Sequence, residues 1–279
     1  MKGRRIEAVS CAKGRPPHLV TTEERAPVVM TPRLLLVLLV LVVVCPAAGL
    51  GQTPTIVVQG EAGPVWQSRN EVEIPNDGTA TRFSLVDLVG AGPWPAGRLQ
   101  VTWTVAERHA LRALFAPLAW TETGVPEAPL SFAGATYEAG RATDATYRFN
   151  SYRLTYRYRV YDAERGQAWI GATAKLRDAV VELEQGRTTR RKTDRGFVPL
   201  LHLAGTWRVA PPWSLTLTAD ALAGGPGRAV DAALTVDYDL GRAWTIHAGY
   251  RTLEGGADVD EVYNFTWLHY PVVSVSRSL

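Results

Sequence analysis

Between Tyr152 and Val160 the chain alternates without a break, with Tyr152, Leu154, Tyr156, Tyr158 and Val160 on one side and Arg153, Thr155, Arg157 and Arg159 on the other. A repeat of 3.6 residues mixes these sets and a repeat of two separates them, so residues 147–161 form a strand. Aromatic and aliphatic bodies opposite a row of guanidinium groups suit a wall with hydrocarbon on one side and a polar lumen on the other. The same period runs through residues 56–69, 98–106, 110–120, 167–183, 196–209, 214–222, 229–239, 243–253 and 262–279. Leu99, Val101, Trp103 and Val105 oppose Gln100, Thr102 and Thr104; Leu201, Leu203 and Trp207 oppose His202, Thr206 and Arg208; Leu234, Val236 and Tyr238 oppose Thr235, Asp237 and Asp239. No amphipathic helix competes. The pattern predicts an all-β fold, an antiparallel transmembrane up-and-down β-barrel of ten strands, an even number that leaves both ends on one side.

The connections predict the same closure. Long and short segments alternate: 72–97, 107–109, 121–144, 162–166, then a charged loop at 186–195, a tight 210–213, Gly-rich 224–228, the pair 241–242, and an acidic loop at 254–261. Long loops on one side and tight turns on the other describe a membrane barrel better than a soluble sandwich. Of nine tryptophans, Trp66, Trp103, Trp120, Trp169, Trp207, Trp213, Trp244 and Trp267 mostly fall near strand ends, where interfacial girdles are expected.

The leader changes the charge picture. Arg33 precedes an apolar run at 34–44, followed by Pro46 and small residues to Gly51. Eleven apolar residues are too few to cross a bilayer, and a basic start with a small-residue end describes a secretory signal. Residues 30–51 are therefore read as a signal peptide, 1–29 as an over-assigned start or an extended basic region, and 52–279 as the barrel. The part through Gly51 carries seven of the 30 Lys and Arg and three of the 27 acids, which leaves 23 basic against 24 acidic residues. A near-neutral remainder gives no reason to expect a nucleic-acid partner. Cys11 and Cys45 both lie in the leader, so closure of a sheet or a large core has to do the work of disulfides.

Together the signal, the cysteine-free remainder, the ten alternating strands and the last strand, VYNFTWLHYPVVSVSRSL, resemble the small outer-membrane barrels of Gram-negative bacteria over residues 56–279. The resemblance implies insertion in the bacterial outer membrane, contact with its lipid and lipopolysaccharide, and delivery by the barrel-assembly machinery. It implies no cofactor. In that superfamily the last strand usually ends in Phe or Trp; here Leu279 ends it and Arg277 stands where an aromatic is common.

Candidate chemistry sits on the lumenal face. Arg153, Arg157, Arg159, Lys175 and Arg177 are expected to face Asp220, Asp231, Asp237 and Asp239 across a narrow barrel, with Asp237 or Asp239 as partners of the arginines. Unpaired buried charge is costly and small barrels fill with side chains, so the first expectation is a paired plug; a narrow, porin-like solute path is the alternative. Ten-stranded outer-membrane proteases of the omptin type need carboxylates and a His at the outer rim. Asp220, Asp231, Glu254, Asp258, Asp260 and Glu261 supply acids there, but His109 falls in a near-side turn and His202, His247 and His269 fall within strands. An outer-membrane lipid hydrolase or acyltransferase would need His202 or His247 beside a serine such as Ser214 or Ser274, which only the fold decides; a soluble lipocalin-like barrel is the other alternative. No metal-ligand spacing appears. The stretch 254–261 lacks the spacing of a calcium loop, and the basic stretch 187–195 offers Arg forks of the kind that suit lipopolysaccharide phosphates.

Overall fold

A computed structural model describes residues 55–225 and 227–279; the segments 1–29 and 30–51 read as leader lie outside them. In chain order the described elements are β1 (Thr55–Glu73), β2 (Phe83–Ser84), α1 (Leu85–Val89), β3 (Trp94–Ala106), β4 (His109–Ala116), β5 (Ala119–Gly124), β6 (Leu130–Phe132), β7 (Ala135–Tyr137), β8 (Thr143–Ala163), β9 (Gly166–Gln185), β10 (Thr188–Ala210), β11 (Trp213–Gly224), β12 (Gly227–Gly241), β13 (Trp244–Val259) and β14 (Val262–Ser278). Neighbours along the wall pair antiparallel, and β14 returns to β1, from Val57 opposite Ser278 to Glu73 opposite Tyr263. β4 and β5 both pair with β8 and form one stave, interrupted at Pro117 and Leu118, where a proline without an N–H cannot continue the ladder. The described residues thus close a ten-stranded barrel, which removes the open edges of its main sheet.

Alternation sorts the two faces as the sequence predicts. Leu99, Trp103, Phe115, Leu154, Ile170, Leu176, Phe197, Leu201, Leu203, Trp207, Leu217, Leu234, Val236, Tyr250, Trp267 and Val273 are exposed on the outside. A continuous apolar exterior of this extent has no place in water. Among the tryptophans read as girdle, Trp66, Trp103, Trp207, Trp213, Trp244 and Trp267 face outward, whereas Trp120 and Trp169 are buried. Trp120 stacks on Trp94 at 4.2 Å inside the barrel, because the break after Ala116 leaves the inward position open to a large ring.

The end carrying Thr55, Leu279 and the tight turns is the near end; the other is the far end. At the far end the expected alternation of loop lengths fails. The stretches 186–195 and 254–261 are strand, not loop: β9 and β10 are joined through Gly186 and Arg187, and β13 and β14 through Asp260 and Glu261. Gly186 has φ 64°, a left-handed conformation that glycine adopts without penalty, and that permits so short a hairpin. Only the first two far-end connections are long, and both fold inward as lids. One carries β2 and α1, whose Ser84 side chain accepts a hydrogen bond from the Asp87 amide; the other carries the hairpin β6–β7.

Inside, the far half holds one buried apolar cluster that includes Val65, Val72, Leu85, Trp94, Trp120, Phe132, Tyr137, Tyr147, Leu183 and Leu268, beside a buried polar set in which Asn70 bonds Gln67 and Thr266. Below it lies a layer of charge, and below that, toward the near end, a layer of hydroxyls, amides and one histidine.

Candidate functional site

Asp220 and Asp231 organise the charge layer. Inward positions on β11 and β12 place them beside each other in the register, and each is nearly buried. Two carboxylates so close repel unless cations divide them. Arg153 does this from across the lumen, with Nη1 2.9 Å from Asp220 and Nη2 2.6 Å from Asp231. Arg98 reaches Asp231 at 3.1 Å, and Arg251 bridges Asp231 at 2.7 Å to Glu61 at 2.8 Å. Asp220 also accepts from Arg112 at 3.3 Å, from the Thr173 hydroxyl at 2.9 Å and from His202 Nδ1 at 2.7 Å. One connected set of side chains therefore ties together β1, β3, β4, β8, β9, β10, β11, β12 and β13. Such a network is a set of cross-braces, since Arg153, Arg98 and Arg112 each reach a carboxylate on a strand that is not a neighbour in the wall, while His202–Asp220 and Arg251–Asp231 join adjacent strands.

The expected residues are there, but not all expected partners. Arg153 pairs with Asp220 and Asp231, not with Asp237 or Asp239. Arg157 has its guanidinium 4.3 Å from the Trp169 ring and has no carboxylate partner among the described residues; Arg159 lies over the same ring at 5.4 Å and pairs with Asp162 near the turn. Lys175 sets its ammonium 4.7 Å from the Phe149 ring. Arg177 pairs with Asp194, above the layer. Asp239, near the end of β12, accepts from the Gly241 amide. Stacking on aromatic faces replaces ion pairing where cations outnumber carboxylates. Glu61, Arg98, Arg112 and Arg251 were not singled out from the sequence, although each occupies an inward position of its strand.

The layer leaves little empty space. A void between Arg98, Leu118, Phe149 and Tyr270 measures about 20 Å³, the room of a single water.

Near the tight turns the lumen is polar, with Arg157 and Arg159 stacked on Trp169 beside it. His247 Nδ1 lies 2.7 Å from Asp237 Oδ1, and His247 Nε2 lies 2.9 Å from Ser276 Oγ. Because a carboxylate only accepts, Nδ1 carries the proton and Nε2 is left to accept from the serine. Asp237 is fixed in turn by the hydroxyls of Thr216 at 2.5 Å and Thr235 at 2.7 Å. The serine is not one of those considered from the sequence: Ser274 instead accepts from the Gln59 amide at 2.9 Å. His202, the other lumenal histidine, is held by Asp220, and its Nε2 is buried with no hydrogen-bond partner. His269 faces outward, against Ser68 at 2.6 Å. The far rim therefore assembles no carboxylate–His pair among the described residues.

Outside, beyond the apolar band, lies a collar of exposed pairs. Arg195 and Arg148 share Asp178, Arg191 faces Glu182, and Arg228, Arg69 and Arg82 pair with Glu254, Glu71 and Glu73 while covering Phe265 and Tyr263. The hydrogen bond from Arg195, helped by Asn150 and Arg148, holds the Asp178 carboxyl below its ordinary range. Glu254 and Asp258, read as part of an acidic loop, are taken up by Arg228 and by the Asn76 amide at 2.8 Å.

The chain is similar to solved outer-membrane barrels. The protease OmpT of Escherichia coli aligns at 8% identity with a TM-score of 0.49, covering 82% of this chain and 99% of that one. Ail, the attachment invasion locus protein of Yersinia pestis, aligns at 12% identity and TM-score 0.36, covering 82% and 100%. Neisserial surface protein A aligns at 14% identity and TM-score 0.36, covering 81% and 99%. No family model and no curated protein matches the chain.

Proposed function

We propose that the chain is an integral outer-membrane barrel whose lumen is closed, and that it acts through its wall and its two rims rather than by passing solute. The observation that carries this reading is the stacking of three filled layers under an apolar exterior: an apolar cluster beneath inward-folded lids, then the cross-braced charge layer, then the polar near-end floor. An apolar outer face supports hydrocarbon as its surroundings. Filled layers support a plug in place of a path, because water cannot cross an apolar core of buried rings without opening it. The collar of arginines lies just past the apolar band and Arg forks suit phosphate chemistry, which supports lipopolysaccharide as the partner proposed for the outside. Insertion by the barrel-assembly machinery belongs to the same reading.

Fractionation of cells making the full chain tests it. The expected result is recovery in the outer-membrane fraction, with migration on cold SDS gels that changes on heating. Recovery as soluble periplasmic material would overturn the proposal in favour of a lipocalin-like barrel.

A further inference from the structure

We propose that Ser276, His247 and Asp237 form a hydrolytic triad that opens to the near end of the barrel and cleaves small water-soluble carboxylic esters. Three adjacent strands bring them into line: Asp237 on β12 stands opposite His247 on β13, and Ser276 lies one inward step from Ser274, the register partner of His247 on β14. The contacts have the distances and the order that acyl transfer needs, serine to Nε2 at 2.9 Å and Nδ1 to carboxylate at 2.7 Å. Two threonine hydroxyls lock the carboxylate, so the imidazole has one orientation and one tautomer. A polar filling needs hydrogen bonds but has no need of this order, in which the only ring nitrogen able to take a proton is aimed at a hydroxyl.

Position decides the substrate. The triad faces the lumen, so the barrel wall separates it from the acyl chains outside. The charge layer closes the far side. Water approaches from the near end, where the His247 side chain keeps 15% of its surface exposed; Ser276, two residues from the end of β14, is itself buried beneath it. The near end is therefore the side from which a small soluble ester would have to part the polar floor to meet the serine, and the wall keeps a membrane phospholipid away from it. In the first step Ser276 Oγ bonds to the ester carbonyl carbon while its proton passes to His247 Nε2. The carbon–oxygen bond to the alcohol then breaks, and the alcohol leaves with that proton. A water gives its proton to His247 and its oxygen to the acyl carbon; the acid departs and Ser276 recovers its hydrogen.

The test is covalent labelling of the purified full chain, folded in detergent, with a fluorophosphonate probe, followed by peptide mapping and by turnover of p-nitrophenyl acetate. Ser276 should take up one probe per chain. Ser276→Ala should abolish labelling and turnover, and Asp237→Asn should slow both by about 10⁴-fold, as loss of the orienting carboxylate does in such triads. Heat-modifiable migration identifies any variant that has not folded, and the wild-type label decides without a variant. An unlabelled Ser276, or a labelling rate that Asp237→Asn leaves unchanged in folded protein, overturns the proposal and leaves a hydrogen-bonded ladder.

Discussion

Two sets of arginine–carboxylate pairs, made from the same side chains and partly on the same strands, sit in opposite surroundings. In the lumen, Arg153 and Asp231 keep 1% and 3% of their side-chain surface; on the collar, Arg195 keeps 72% beside Asp178 at 15%. Pair distances are similar, 2.6 Å and 3.0 Å, so distance does not distinguish them. Solvent does. Removing one partner in the lumen strands a charge that water cannot reach, whereas on the collar water replaces the lost partner. The difference teaches that the lumenal set holds the wall in shape, whereas the collar costs little to rearrange.

The largest break in this comparison is Asp231→Ala. It leaves Arg98, Arg153 and Arg251 facing one another around an empty position and should cost at least about 3–5 kcal/mol, read as a fall in the temperature at which the gel shift is lost. Arg153→Ala should fall in the same range, because it uncovers both Asp220 and Asp231. Arg157→Ala should cost less, about 1–2 kcal/mol, since it gives up a stacked ring and no carboxylate. If Arg157→Ala proves as damaging as Arg153→Ala, the division between braced and stacked cations is wrong.

The smallest effects belong to the collar. Arg195→Ala should change stability by under about 1 kcal/mol at low salt and by less at high salt, where screening has already weakened the pair. It should also move the pH dependence. Asp178 is held below its ordinary range in the folded state, so its contribution is present above the unfolded carboxylate value and is lost as the pH falls through the folded one. Without Arg195 the folded value rises toward the unfolded one, and the acid-side slope assigned to Asp178 should flatten in melting curves taken below about pH 5. An unchanged slope would mean that Asn150 and Arg148 suffice.

Strand existence and facing were readable because a period of two leaves no choice once one side meets lipid and the other a lumen. Arg153, His202, Asp220 and Asp231 all point inward as that period requires. Partner choice was not readable. It depends on the stagger of strands around the closed sheet, which decides whether an inward Arg on β8 meets Asp231 or Asp237, and no single strand carries that information. The far-end hairpins were missed because charge and glycine marked them as loop, although strands beyond the bilayer have no reason to be apolar. That error hid the triad as well. Counting back from a two-residue turn, Val259 pairs with Val262 and His247 with Ser274, which puts Ser276 within reach of the imidazole. Trp120 was misassigned because a position near a strand end fits both a girdle and a lumen cap, and only the break at Pro117 tips it inward.

Ion conductance across a planar bilayer tests the closed lumen most directly. Purified full-length chain, shown to be inserted by its heat-modifiable migration after recovery from the same vesicles, should leave the membrane at its baseline, with no stepwise openings at either polarity. Regular ohmic steps from the wild-type chain would contradict the account, for a lumen that carries ions is not filled by the apolar cluster and the cross-braced charges described above.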